Sequence, residues 1–421
     1  METDGPSSSG RAGLRMPPIA LLVALSAINT IALNIFVPSM PGMVDVFDTS
    51  PAAVQLTLSF YLVAFALAQL AIGPLYDRYG RRPVLLWGLA IYALAPLLCA
   101  AAWSIGSLAA ARALQAIGGC AGIVLARAVI RDLHERDRAA SVIGLVTMLT
   151  AFASAAAPAI GASLDVWLGW RASFLVVALF GTVVLAWTFA SLPETHRVPS
   201  GQSMLSTFRG CGQLLRSAAF IGYALHGACT LAGWYAMIAG LPYVLVDVLG
   251  RPPTDYGLYF PLLSFGYMAG KFITSRVVQR MGVQRLMLNG AWLAVASCVV
   301  LYLWNLASGP AGLAIVLPLA VVVLSHGLSQ PSAIAGAVSV NPALAGSAAG
   351  VMGFGQGLIA AGGAQLVGML QNGTVHPLFA VVTTFAVVSL LACFLARWGE
   401  AREAPPAPDA ADRGAAPSLR R

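Results

Sequence analysis

Residues 52–86 read AAVQLTLSFYLVAFALAQLAIGPLYDRYGRRPVLL, and the fold turns on how this stretch is divided. Its first part, 52–75, holds no charged residue and reaches the roughly 20 apolar residues that a helix needs to cross a bilayer. Asp77, Arg78, Arg81 and Arg82 follow at once, and charges of that density are costly inside hydrocarbon. Gly73 lets a neighbouring helix approach closely, and Gly80 permits a tight turn. A new apolar run starts at 84, so the stretch reads as membrane helix, short polar loop, membrane helix.

The rest of the chain follows the same pattern. Of its 421 residues 58% are hydrophobic and 10% charged, where a soluble domain carries about 25% charged residues. With a mean hydropathy of +0.80 the solvent is lipid, which excludes a soluble enzyme, a nucleic-acid binder and a disordered scaffold. Apolar runs between charges and turn signals give twelve spans, near 17–38, 52–75, 84–103, 106–129, 139–163, 171–191, 218–241, 256–277, 285–306, 311–335, 347–370 and 377–397. The first run is too long for a signal-peptide core and is read as an uncleaved helix. The polar segment 1–16 and the Pro- and Ala-rich, charged segment 399–421 are expected to be disordered tails. The six cysteines show no C-x-x-C spacing and read as small packing residues.

Basic residues set the orientation. With both termini cytoplasmic, inward loops and adjoining helix ends carry Arg78, Arg81, Arg82, Arg131, Arg136, Arg138, Lys271, Arg276 and Arg280, among others. The outward loops carry only Arg171 and Arg251. This is the positive-inside pattern, and it accounts for much of the net charge of +8. Arg112 is then the one basic residue left within a span.

The longest inter-span segment, 192–217, separates a six-span half at 17–191 from another at 218–398. Arg78 and Gly80 after span two are echoed by Arg280 and Gly282 after span eight. Pro38 ends span one as Pro242 ends span seven, and RAASVIG at 138–144 is echoed by AGSAAGVMG at 345–353. Two similar halves with a site between them suit a transporter that rocks about that site.

The segment from Gly73 to Leu85 resembles the cytoplasmic-loop signature of the major facilitator superfamily, G-x-L-x-D-R-x-G-R-R. With LARAVIRDLHERDRA at 125–139, and GWRASF followed by LPET, the chain resembles the bicyclomycin/chloramphenicol-resistance (Bcr/CflA) branch of twelve-helix drug:proton antiporters. The resemblance is dense from Asn34 to Thr195 and thinner beyond. It implies an all-α polytopic protein of two pseudo-symmetric six-helix bundles, exporting small molecules across the bacterial inner membrane in exchange for protons. It also implies a cytoplasmic gate of Gly73, Asp77, Arg78, Gly80, Arg81, Arg82, Arg131 and Asp132. Arg112 and Gln115 match the buried polar pair of the fourth helix, and Pro158 and Gly161 fall in a partial match to the Gly-Pro-Gly motif of the fifth. One departure is plain. Where the branch has Asp-x-Tyr-x-Pro, this chain has Asn34-Ile35-Phe36-Val37-Pro38, and an amide cannot titrate.

None of the sixteen Asp and Glu falls inside a predicted span, so Arg112 is expected to face the cavity and to favour neutral or anionic substrates. Asn34 is a candidate for bonding substrate, and His226 and His326 are the histidines in apolar spans, either titrating or packing. Phe36, Tyr61, Trp234 and Tyr235 are candidates for apolar cavity surface. No phosphate loop, zinc-protease motif or nucleophile elbow is present, so no enzyme activity, metal or cofactor is expected. The partners expected are a small-molecule substrate, protons and the lipid bilayer, with the chain a monomer. Two other readings remain open at this point: an exporter of one endogenous metabolite such as a siderophore, and a non-transporting membrane sensor.

Overall fold

The computed structural model describes residues 17–133, 136–192 and 211–403. The expected tail 1–16, residues 404–421 of the expected tail 399–421 and most of the 192–217 linker lie outside the described residues, whereas 399–403, read as tail, continue the last helix. Each predicted span is met by a helix. The first is α1 (Ile19–Asn34), continued through a 3-10 turn at Val37–Ser39 into the short α2 (Met40–Val46). The others of the first half are α3 (Pro51–Tyr79), α4 (Arg81–Ala100), α5 (Ile105–Leu133), α6 (Arg136–Leu168) and α7 (Arg171–Ser191). The second half comprises α8 (Ala218–Tyr243), α9 (Pro253–Met281), α10 (Val283–Ser308), α11 (Gly312–Val340), α12 (Ala345–Leu370) and α13 (His376–Glu403).

Several helices overrun the predicted spans at the Arg-rich end. The 73–82 segment is mostly helix rather than loop, because α3 runs to Tyr79 and α4 begins at Arg81. Hydrocarbon ends where the charges begin, but the backbone ladder continues through the headgroup layer. Gly80 alone makes the corner, at φ 86° and ψ 161°, a region open essentially to glycine. Its echo Gly282 makes the α9–α10 corner at φ 79° and ψ 158°. Pro242 does not end its helix as expected; it sits in the last turn of α8, and a π turn at Val244–Val248 follows. Pro158 likewise lies within an unbroken α6.

Ten helices among the described residues are long and apolar enough to cross a membrane unaided. The two that fall short are α9, with Lys271, and α12, with Gln356 and Gln365. Large apolar side chains face outward along the barrel of helices, Trp87 at 73% and Phe265 at 68% exposure among them. A water-soluble protein does not carry such a belt.

The halves meet at the end away from the arginines. There Gln55 Nε2 on α3 donates to the Ala239 carbonyl (2.7 Å) and Gln365 Nε2 on α12 donates to the Ala52 carbonyl (2.9 Å). Ser59 Oγ reaches the Ala361 carbonyl and Gln365 Oε1, each at 3.1 Å. Tyr243 Oη donates to the Met40 carbonyl at 3.4 Å.

Candidate substrate cavity

A cavity of about 240 Å³ lies between the halves, on the Arg-rich side of these bonds. Polar side chains spaced by helical turns build its walls. On α6 Thr147, Thr150 and Ser154 share one face, opposite Thr30 of α1. On α9 Ser264, Tyr267, Met268 and Lys271 do the same, beside Thr230 and Trp234 of α8 and His326 and Gln330 of α11. Thr30, Thr147 and Thr150 also line a smaller hollow of about 120 Å³ that continues between α1, α5 and α6.

The wall from the second half is ordered by its aromatic rings. Tyr267 stacks on Trp234 with centroids 6.0 Å apart and planes 21° apart. Its hydroxyl donates to Gln330 Oε1 at 2.5 Å, and Lys271 Nζ lies 4.2 Å from its ring centroid. Lys271 is the one Lys, Arg, Asp or Glu among the described residues lining the cavity. The sequence reading groups it with the helix-end charges; α9 continues to Met281, roughly 15 Å further at about 1.5 Å per residue, so Lys271 stands well inside the end of its helix.

Of the residues singled out from the sequence, Trp234 and His326 border the cavity. Asn34 stands behind its wall, with Nδ2 donating to Ser154 Oγ at 3.1 Å and to the Thr30 carbonyl at 2.9 Å. Arg112 does not line it. The side chain is fully buried in the first half, donating through Nη1 to the Ala32 carbonyl (2.8 Å) and Gln115 Oε1 (2.7 Å). Its guanidinium lies against the rings of Phe36 (4.2 Å), Tyr61 (4.3 Å) and Phe174 (5.9 Å). Tyr61 in turn donates to Asn29 Oδ1 at 2.5 Å. Phe36, Tyr61 and Gln115 thus enclose the cation instead of lining the cavity. Four helices hold the cation through two bonds at Nη1 and three ring faces, while its Nε and Nη2 are buried without a hydrogen-bond partner among the described residues.

His226 is packed between α8 and α13, its Nδ1 2.8 Å from Ser389 Oγ and 3.1 Å from Cys393 Sγ. Tyr235 is half-buried and not among the lining residues. On α6 a Cβ at Gly161 would lie 1.6 Å from the Ile35 carbonyl oxygen, so this glycine serves the close approach of α6 to the end of α1. Of the gate residues, Arg82 donates from Nε to the Leu192 carbonyl (2.8 Å) and from Nη2 to the Phe189 carbonyl (3.0 Å), capping the end of α7. Arg78 lies over the Tyr79 ring at 5.2 Å. Arg81 opens α4 beside Gly80. The surroundings of Gly73 and the side chains of Asp77, Arg131 and Asp132 lie outside the described residues.

The polar lining residues that sequence reasoning missed are Thr30, Thr147, Thr150, Ser154, Thr230, Ser264, Tyr267, Lys271 and Gln330. Their signal was present as polar residues three, four and seven apart within otherwise apolar helices. A search for isolated charges passes over it.

The model of the Major Facilitator Superfamily matches residues 22–364. This chain belongs to the major facilitator superfamily. Among its relatives, the superfamily's "Bicyclomycin resistance protein homolog" of Haemophilus influenzae is 27% identical over 388 residues, covering 89% of this chain and 95% of its own length. "Multidrug resistance protein D" of Escherichia coli strain K12 is 30% identical over 365 residues, covering 83% and 88%. These similarities support the drug-efflux branch of the superfamily. The crystal structure of the nucleoside transporter NupG superposes with a TM-score of 0.75 at 12% identity, over 91% of this chain and all of that one. It shows the same major facilitator fold, twelve helices in two six-helix bundles. With apolar helices throughout and bacterial relatives, the superfamily member described here is an inner-membrane protein.

Proposed function

We propose that this protein exports small, drug-like molecules by alternating access, with proton entry as the driving reaction and the central cavity as the binding site. The observation that carries the reading is the cavity's position. Side chains of α1 and α6 from one half and of α8, α9 and α11 from the other share it, so a ligand inside touches both bodies that must move. The kinship with drug-resistance proteins supplies the substrate class. The arginine distribution favours cytoplasmic termini. In that orientation the bonds between α3 and α12 close the outer end, and the cavity belongs to the inward side. The halves at 17–191 and 218–398 act as the rocking units of a monomer, and the 73–82 segment with Arg131 and Asp132 forms the inner gate.

Asn34 cannot bind and release the driving proton. His326 is the imidazole lining the cavity, and an imidazole can. A cavity with no carboxylate among its described lining residues also favours neutral or anionic ligands over cations. The test is flux in proteoliposomes of the full-length protein under an imposed pH gradient. Chloramphenicol should move against its own gradient and stop when a protonophore collapses the pH difference. Flux identical to that of protein-free liposomes refutes export, and flux indifferent to the protonophore refutes proton coupling.

A further inference from the structure

Resting on that reading, the cavity carries a more specific assignment. We propose that Lys271 and the Trp234–Tyr267 ring pair form a subsite for an aromatic monoanion, the carboxylate meeting the ammonium and the ring lying along the indole.

The direction of the Lys271 side chain is the first argument. A lysine near the end of a membrane helix ordinarily extends toward the headgroups. Here Nζ lies 4.2 Å from the Tyr267 ring centroid. Tyr267 is one turn earlier in α9, on the side away from the Arg-rich end. The ammonium therefore turns back into the protein, and side chains of a helix tilt in this direction by construction. A cation held at that depth is expensive and marks function by default.

Charge balance is the second argument. No described residue lining the cavity is a carboxylate. The one ion pair recorded among the described residues joins Arg251 and Asp255, at the far end of α9. A ring face offsets an ammonium only in part, so among the described residues the cation has no counter-charge, and a ligand can bring one. Lys271 is half-buried, which leaves it reachable from the cavity.

Shape is the third. Trp234 is held by Phe260 (centroids 5.8 Å apart) and Tyr267, so its indole is a fixed flat surface beside the charge. A cavity of about 240 Å³ takes one or two fused rings with a small head group. Tyr267 Oη, tied to Gln330, holds the ring beneath the ammonium in place.

The experiment compares three probes with the same ring and different charge: 2-naphthoate, 2-naphthamide and 2-naphthylmethylammonium. Equilibrium dialysis against the purified full-length protein reads their affinities. Naphthoate should bind at least tenfold more tightly than the amide, and the ammonium more weakly than either. Lys271→Gln should remove the carboxylate's advantage while leaving the amide within threefold, and Lys271→Arg should keep it. Should Lys271→Gln fail to reach the membrane, wild-type protein still decides the matter. Naphthoate affinity should fall severalfold between 50 and 500 mM KCl, and the amide's should not. Equal binding of carboxylate and amide, binding of neither, or a preference that survives Lys271→Gln overturns the subsite. The flux arm separates the two readings. Chloramphenicol export without a carboxylate preference sinks the subsite alone. A Lys271-dependent preference in a protein that moves nothing sinks the exporter.

Discussion

Arg112 is a cation treated by the fold as core. It ties α5 to the end of α1 through the Ala32 carbonyl and lies against rings from the segment after α1, from α3 and from α7. Removing it strands that carbonyl and Gln115 and opens a void among three aromatic rings. Arg112→Ala should therefore cost about 2–4 kcal/mol of stability, from the lost charge-assisted bonds and ring contacts together. The check is thermal unfolding in detergent beside flux in liposomes, and the two should fall in parallel. Full stability with abolished flux would return Arg112 to the transport step. Arg112→Lys should recover little, because an ammonium cannot reproduce a planar cation laid against rings. That Arg112 is unusual was legible in the sequence, since a base in the middle of an apolar run must be satisfied somehow. Whether a cavity or a ring box satisfies it depends on which helices surround it, and spacing along one helix does not encode that. Lys271 escaped for the opposite reason: Arg276 and Arg280 follow it closely, so the group read as one helix-end cluster.

The helix corners show how an element boundary can be set by a single residue. Gly80 joins α3 to α4 and Gly282 joins α9 to α10, with backbone angles that agree within a few degrees. Any Cβ at those angles is strained, by about 1–3 kcal/mol. Gly80→Ala and Gly282→Ala should each lower the unfolding midpoint, and by similar amounts if the halves are equivalent there. A midpoint unchanged in both variants would show that the corners relax freely. Helix positions were legible because hydrocarbon requires long charge-free runs, but helix ends were not. A charge ends the apolar run without ending the helix, as α3, α5 and α9 show. The polar faces of α6 and α9 were written as Thr147-x-x-Thr150-x-x-x-Ser154 and Ser264-x-x-Tyr267-x-x-x-Lys271. They passed unnoticed because each residue is unremarkable singly, and the meaning lies in their common face.

At the scale of the whole molecule, composition and the echoed Gly80 and Gly282 made two six-helix halves legible, whereas the way the halves meet was not. Their seam is built from backbone carbonyls and uncharged polar side chains, as in the Ser59–Ala361 and Gln55–Ala239 bonds, and such contacts leave no pattern in a single sequence. The seam nevertheless makes a mechanical claim. If transport requires the halves to rock, the bonds between α3 and α12 must break in every cycle. Ser59 Oγ and Gln365 Oε1 are 3.1 Å apart, which makes the pair a place to test it. In a background with the six native cysteines replaced, Ser59→Cys with Gln365→Cys should give a protein whose flux is near normal under reducing conditions. Oxidation, or a short bifunctional thiol reagent, should join α3 to α12 and stop flux, and a reductant should restore it where a disulfide made the link. Each single-cysteine variant should be indifferent to the same treatment. Substrate binding should survive the cross-link, because the cavity lies on the other side of the seam and is already formed in this arrangement. Undiminished flux in a fully cross-linked population would mean that this end never opens, and alternating access would then have to be abandoned for this protein.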